Sequence, residues 1–205
     1  MAALKSIQQH LAHHQRVKMN ENSKAILLLT SKFDTKRAVL NSVEYSDFAN
    51  IIYKHSYSPK DLFGSKKNEI LALFDSRFSD RIERLLKDGN AMALYLDKLN
   101  NFGIKLITRA EKYPRNLKKN PNLAVPFIHY VGDIKNLLEP KNIGIYINKN
   151  DLNIFSQCDI IIVKEIFKIV GFNEFKSFID HQGLVLGINL PKEKLSKIAD
   201  ALMAK

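Results

Sequence analysis

The feature that most constrains this chain is a change of hydrophobic period near residues 101–103. Upstream, apolar residues recur at helical intervals, and Ile82, Leu85, Leu86, Met92, Leu96 and Leu99 hold that spacing along one stretch. Downstream come five short β-branched or aromatic runs at 104–108, 127–130, 143–147, 159–163 and 184–188, each bounded by Gly, Pro, Asn or Asp. These read as strands. Six of the eight glycines and five of the six prolines also lie beyond residue 102. The chain therefore divides into a basic tail or extension (1–18), a helical domain (19–101) and an α/β domain (102–205).

Within the helical part, residues 24–30 carry the run AILLL, the mark of a buried helix. Ser46 is placed to cap a helix bearing Phe48, Ile51 and Ile52, and Ser58-Pro59 is an N-cap followed by proline at the first helical position. Ser79 opens the longest helical pattern, which Gly89 bends or splits, and Gly103 sits where a C-cap belongs. In the second part helical segments fall between the strands at 133–138, after Asp151, over 165–179 with a break at Gly171, and after Pro191. Such alternation predicts a mostly parallel sheet covered by helices. The run DIIIV (159–163) reads as a strand buried on both faces.

With 205 residues the chain can bury a substantial core, and 45% hydrophobic with 26% charged residues excludes a disordered or collagen-like chain. The single cysteine, Cys158, excludes an internal disulfide. No apolar run spans a bilayer and no signal-peptide pattern is visible, so the expectation is a cytoplasmic protein that contacts no membrane. The net charge of +11 points to a polyanionic partner. The surplus is local. Residues 1–18 carry three basic and no acidic side chains, and 102–140 carry seven against three, whereas the remaining stretches are close to balance.

The stretch Gly103–Thr108, Tyr113-Pro114, Leu117, Pro126 to Tyr130, Gly132, Leu137-Leu138 and the strand from Ile143 resembles, in order and spacing, the entry to the Rossmann-like domain of the DprA/Smf DNA-processing family. The run SQCDIIIVKEIFKIVGF is similar to a later strand of that family, with Glu165 at its Glu position and Gly171 near a later Gly. Ile147, Asn148 and Lys149 stand where the family has a Gly-Ser-Arg turn, and its middle Ser-Gly block has no counterpart. The resemblance is therefore to a reduced or diverged member. The fold it implies is a helical domain followed by a small, truncated Rossmann-like domain. The function it implies is non-enzymatic binding of single-stranded DNA in bacterial DNA processing, recombination or natural transformation. A RecA-type recombinase is the implied partner, a homodimer is compatible with it, and no cofactor is called for. The alternative is a degenerate scaffold or protein-interaction module that has lost its ligand site.

The residues assigned to nucleic-acid contact are Lys105, Arg109, Lys112, Arg115, Lys118 and Lys119, whose charges neutralise phosphates, and Tyr113, placed to stack a base with Phe127 and Tyr130 nearby. Lys149 joins them because it follows a predicted parallel strand, where α/β sheets place ligands. The competing account of the lysine-rich segment is a solvated loop, and of Tyr113-Pro114 a packed turn. His10, His13 and His14 have the spacing of a metal site but no Cys or carboxylate beside them. Cys158 reads as a small core side chain and Asp151 as a helix N-cap. No nucleophile–base pair stands out, so no enzymatic site is assigned.

Overall fold

The computed structural model describes residues 19–33, 37–111, 113–120, 123–137 and 142–204. Among the described residues five helices come first: α1 (Glu21–Thr30), α2 (Ser42–Lys54), α3 (Lys67–Leu71), α4 (Ser76–Leu86) and α5 (Gly89–Asn101). They are followed by β1 (Lys105–Thr108), α6 (Arg115–Lys118), β2 (Phe127–Gly132), β3 (Ile143–Tyr146), β4 (Ile160–Val163), α7 (Asn173–Asp180), β5 (Leu184–Gly187) and α8 (Lys192–Met203). Segments of 3-10 helix lie at Pro59–Phe63, Ile134–Leu137, Lys149–Ser156 and Ile166–Lys168.

The caps explain where the helices begin and end. α2 starts earlier than Ser46 because Asn41 and Glu44 form a reciprocal capping box: the Asn41 side chain accepts from the Val43 and Glu44 amides, and Glu44 accepts from the Asn41 amide. Ser46 instead donates to the Ser42 carbonyl inside the helix. α4 likewise opens at Asp75 rather than Ser79, with the Asp75 side chain accepting from the Phe78 amide. α5 closes on Gly103 at φ +64°. The Ile104 amide reaches back to the Leu99 carbonyl and the Gly103 amide to Asn100, a pairing that needs the left-handed glycine.

Beyond its polar first turn α1 is buried all round, from Ala25 to Thr30, so it forms the centre of the helical unit. Leu29, Leu40, Tyr45, Phe48, Ile52, Leu62, Ile70, Ile82 and Leu85 make up the core there. One buried cation ties this unit together. The Arg37 guanidinium donates to the Leu28, Ser31 and Leu85 carbonyls at 2.5–2.8 Å and to the Asp88 carboxylate at 2.6 Å, and it lies 4.5 Å from the centre of the Phe33 ring. The C-terminal carbonyls of α1 and α4 are thereby satisfied by a single side chain, at the helix ends where positive charge is favoured.

The five strands form one sheet in the order β1-β2-β5-β4-β3. β3, β4 and β5 run parallel and β2 is antiparallel to both β1 and β5, so the sheet is mixed, with β2 alone running against the other four strands. The departure from parallel pairing is confined to β2, whose link from β1 carries only the four-residue α6. Alternate residues of the central strands feed two cores. Ile160, Ile162, Leu184 and Leu186 pack with Ile107, Leu117 and Ile128 and with Leu195, Ile198 and Leu202 of α8. Ile161, Val163 and Val185 pack with Leu99, Phe155, Phe175 and Phe178 on the opposite face. α5 thus packs on the sheet through Leu99, Leu96 and Tyr95, although the sequence groups it with the helical domain.

The two units meet at the loop after β1. Ser23 of α1 shares a buried 2.7 Å hydrogen bond with Thr108 and donates to Glu111 at 2.8 Å. Arg109 donates to the Ser46 hydroxyl at 2.9 Å and lies 5.6 Å from the centre of the Tyr45 ring.

Replacing Arg37 with Ala removes the guanidinium donors of the Leu28, Ser31 and Leu85 carbonyls, of which Ser31 and Leu85 keep the Phe33 and Asp88 amides, and breaks the pair with Asp88. Urea unfolding is expected to show a loss of roughly 3 kcal/mol or more, as for other broken buried ionic networks. A loss below about 1 kcal/mol, the scale of a surface pair, would contradict this role.

Candidate nucleic-acid interface

α6 and α8 lie together over one face of the sheet. Leu117 of α6 and Leu195, Ile198 and Leu202 of α8 point into the shared core, and the Asn116 side-chain amide donates to the Ala204 carbonyl at 2.5 Å. Burying those positions turns the remaining ones outward. Arg115, Lys118 and Lys119 are exposed on or beside α6, and Lys194 and Lys197, one turn apart, are exposed on α8. None of these five cations makes a salt bridge among the described residues. Glu193 and Asp200 share α8 with them. α8 is about 18 Å long at 1.5 Å per residue, which is room for several consecutive phosphates.

The other assigned residues are placed differently. Lys105 is exposed on β1 in the groove facing α5. Arg109 is held between Ser46 and Tyr45 in the contact between the two units, so its guanidinium is committed to the fold. Lys112 lies outside the described residues, and of Lys149 only the backbone is described, at the start of the 3-10 segment after β3. Tyr113 does not stack a base, contrary to the expectation from sequence. Its ring is 6% exposed within the core beneath α6, burial pushes its phenol well up, and no ring face is open to a ligand. Phe127 and Tyr130 are half-buried: Phe127 makes a T-shaped contact with His129, and Tyr130 packs against the core under α6 and α8.

The turn after β3 carries its own anion. The Asp151 carboxylate accepts from the Asn148 amide at 3.0 Å and the Ile147 amide at 2.9 Å, and these two bonds hold its pKa below the usual carboxylate value, helped by Lys192 nearby. Asp151 is therefore not an N-cap of the segment that follows it; it closes the turn backwards. Beside it, outside the carboxyl ends of β3 and β4, lies a crevice of about 290 Å³ lined by Tyr146, Val163, Lys164, Glu165, Lys168 and Lys192. Glu165 pairs with Lys168 at 2.9 Å. These three lysines were missed from sequence because each sits alone among unlike neighbours. Only the position of each one relative to a strand end signalled it.

A further cavity, about 920 Å³, lies at the opposite, amino ends of β4 and β5 and includes Cys158, Asp159, Ser177 and His181. Burial, and then the neighbouring Asp159, push the Cys158 thiol up, away from thiolate. His181 Nδ1 is hydrogen-bonded to the Ser177 carbonyl at 2.7 Å. Among the described residues no group of three or more His, Cys, Asp or Glu is arranged to hold a metal; His10, His13 and His14 lie outside them. No helix of the described residues is long and apolar enough to cross a membrane. His129, on β2, packs against the Tyr95 hydroxyl and the rings of Phe127 and Phe167. Burial there pushes its pKa down to about 4.

No protein-family model, curated protein or solved structure matches the chain.

The Tyr113 hydroxyl is buried and has no hydrogen bond within 3.5 Å among the described residues, the Val125 backbone being the polar group that acts on it. Tyr113→Phe is therefore expected to unfold at the same urea concentration as the parent or a higher one, and a loss above about 1 kcal/mol would reveal a hydroxyl partner. His129 binds its proton less readily folded than unfolded, so its contribution to stability is complete above about pH 6.5 and is lost as the pH falls towards 4, by up to about 3 kcal/mol. Urea midpoints at pH 7 and pH 4.5 should diverge for the parent and converge for His129→Gln; equal divergence in both would contradict the assignment.

Proposed function

We propose that this protein binds single-stranded nucleic acid without chemical turnover, gripping consecutive phosphates on the outer surface formed by α6 and α8. The observation that carries the proposal is the set of five exposed cations, Arg115, Lys118, Lys119, Lys194 and Lys197, on one helical layer, unbridged among the described residues. A net charge of +11 supplies the long-range attraction. The α/β unit reads as a reduced Rossmann-like domain in which β3, β4 and β5 run parallel. The resemblance of residues 103–146 to the DprA/Smf family favours single-stranded DNA as the ligand and a RecA-type recombinase as the protein that acts with it. The crevice lysines extend the charged surface past the N-terminus of α8.

One observation favours a second reading. With the Asp151 carboxylate already on the amides after β3, a phosphate entering that turn would meet a like charge. A Rossmann-like site at this position is closed, as expected of a scaffold that keeps only its interaction surfaces. The two readings differ in whether an oligonucleotide binds at all.

Fluorescence anisotropy with single- and double-stranded oligonucleotides over a salt series decides between them. If about five phosphates are neutralised, log affinity for the single strand should fall with log salt at a slope near −3.5. Arg115→Ala/Lys118→Ala/Lys119→Ala should reduce that slope by about 2. Absence of binding at about 50 mM salt would favour the scaffold, and a slope untouched by the triple substitution would contradict the α6 surface as the place of contact.

A further inference from the structure

We propose that Phe102 is the platform on which one unpaired base of the bound strand stacks, an inference that rests on the reading of the α6–α8 surface as a single-strand interface. Phosphate contacts position a strand, but its open bases are what set it apart from a duplex, and aromatic faces read them. Tyr113, in the midst of the lysine-rich segment, is buried. Three aromatic side chains are exposed among the described residues: Tyr53, Phe63 and Phe102. Tyr53 and Phe63 belong to the helical unit, on α2 and the 3-10 segment after it. Phe102, 49% exposed, caps the end of α5 beside the sheet.

Position, geometry and charge fit Phe102 to that task. Its backbone is fixed, because its amide bonds to the Lys98 and Leu99 carbonyls and Gly103 closes the helix directly after it. Its ring stands T-shaped to Phe167, with centroids 5.8 Å apart and planes at 84°. In such a pair the rim of one ring meets one face of the other, so at least one face of Phe102 is not covered by Phe167. Phe167 is itself held by the His129 ring at 6.1 Å and by the Lys98 ammonium, 4.9 Å from its centre. Lys98 and Lys164 are exposed and make no salt bridge among the described residues, while Glu165 is taken up by Lys168. Cations beside an uncovered ring suit a base with its phosphate.

The ring also lies on a path from the proposed grip. α8 covers one face of the sheet, and α5 with the 3-10 segment Ile166–Lys168 covers the other. Between them, at the carboxyl ends of β3 and β4, Lys192, Lys168 and Lys164 line the crevice, and Phe167 adjoins Lys168 in the chain. A strand leaving Lys194 and Lys197 crosses this edge to reach Phe102. A single strand can turn over the edge, whereas a duplex, stiff over roughly 150 base pairs, cannot follow it.

The chain contains no tryptophan, so Phe102→Trp supplies a single fluorescent reporter. Its emission should fall when a single-stranded oligonucleotide is added and stay constant with an abasic strand of the same length, which presents phosphates without bases. Phe102→Ala should bind the single-stranded oligonucleotide about tenfold more weakly by anisotropy, the scale of one lost stack. It should keep the parent's salt slope and its affinity for the abasic strand, since no phosphate contact is removed. Phe63→Ala, similarly exposed on the helical unit, should bind as the parent does, and circular dichroism should match the parent for each variant. Unchanged tryptophan emission at saturation, or a Phe102→Ala affinity within about twofold of the parent, would overturn the platform and leave the α6–α8 reading standing. Failure of the parent to bind any oligonucleotide would overturn both.

Discussion

Every residue of IIIV in β4 and of LVLG in β5 is buried, so each of these strands needs an apolar cover on both sides. At roughly 25 cal/mol per Å² of apolar surface, leaving either face open would remove more stability than a domain of this size possesses. The layers follow from that demand. α6 and α8 close one face through Leu117, Leu195, Ile198 and Leu202. α5, α7 and the 3-10 segments close the other through Leu99, Phe155, Ile166, Phe175 and Phe178. With both faces closed, α6 and α8 share one layer, and their unburied positions include six cations, Lys192 at the start of α8 among them. The proposed interface is thus a by-product of covering the sheet.

The loop after β1 has a different task. Thr108, Arg109 and Glu111 join the α/β unit to α1 and α2 through Ser23, Ser46 and the Tyr45 ring. A cation held in that contact is withdrawn from any ligand, which is why Arg109 and the α6 cations, close in sequence, differ in role. The turn after β3 is occupied in the same way, since Asp151 satisfies the Ile147 and Asn148 amides that a bound anion would otherwise use.

Much of the fold was legible in the sequence. The five strands, the Gly103 cap and the doubly buried β4 all carry strong local signals, because period and turn chemistry are properties of neighbouring residues. α6 was not legible, since four residues are too few to show a period, and its helical form depends on Leu117 reaching the core. The antiparallel pairing of β2 was hidden as well, because strand order is set by packing between distant segments. The site was half legible. Charge density marked Arg115, Lys118 and Lys119, but it could not separate them from Arg109, whose partner Ser46 lies 63 residues away. The burial of Tyr113 and the contributions of Lys194 and Lys197 depend on where α6 and α8 meet, which no local pattern records.

The most direct test of the central claim is photochemical cross-linking of the full chain to a single-stranded oligonucleotide, with the attached peptides mapped by mass spectrometry. The account predicts cross-links concentrated in residues 115–119 and 192–197. Cross-links confined to α1–α4, or spread evenly over both faces of the sheet, would contradict it.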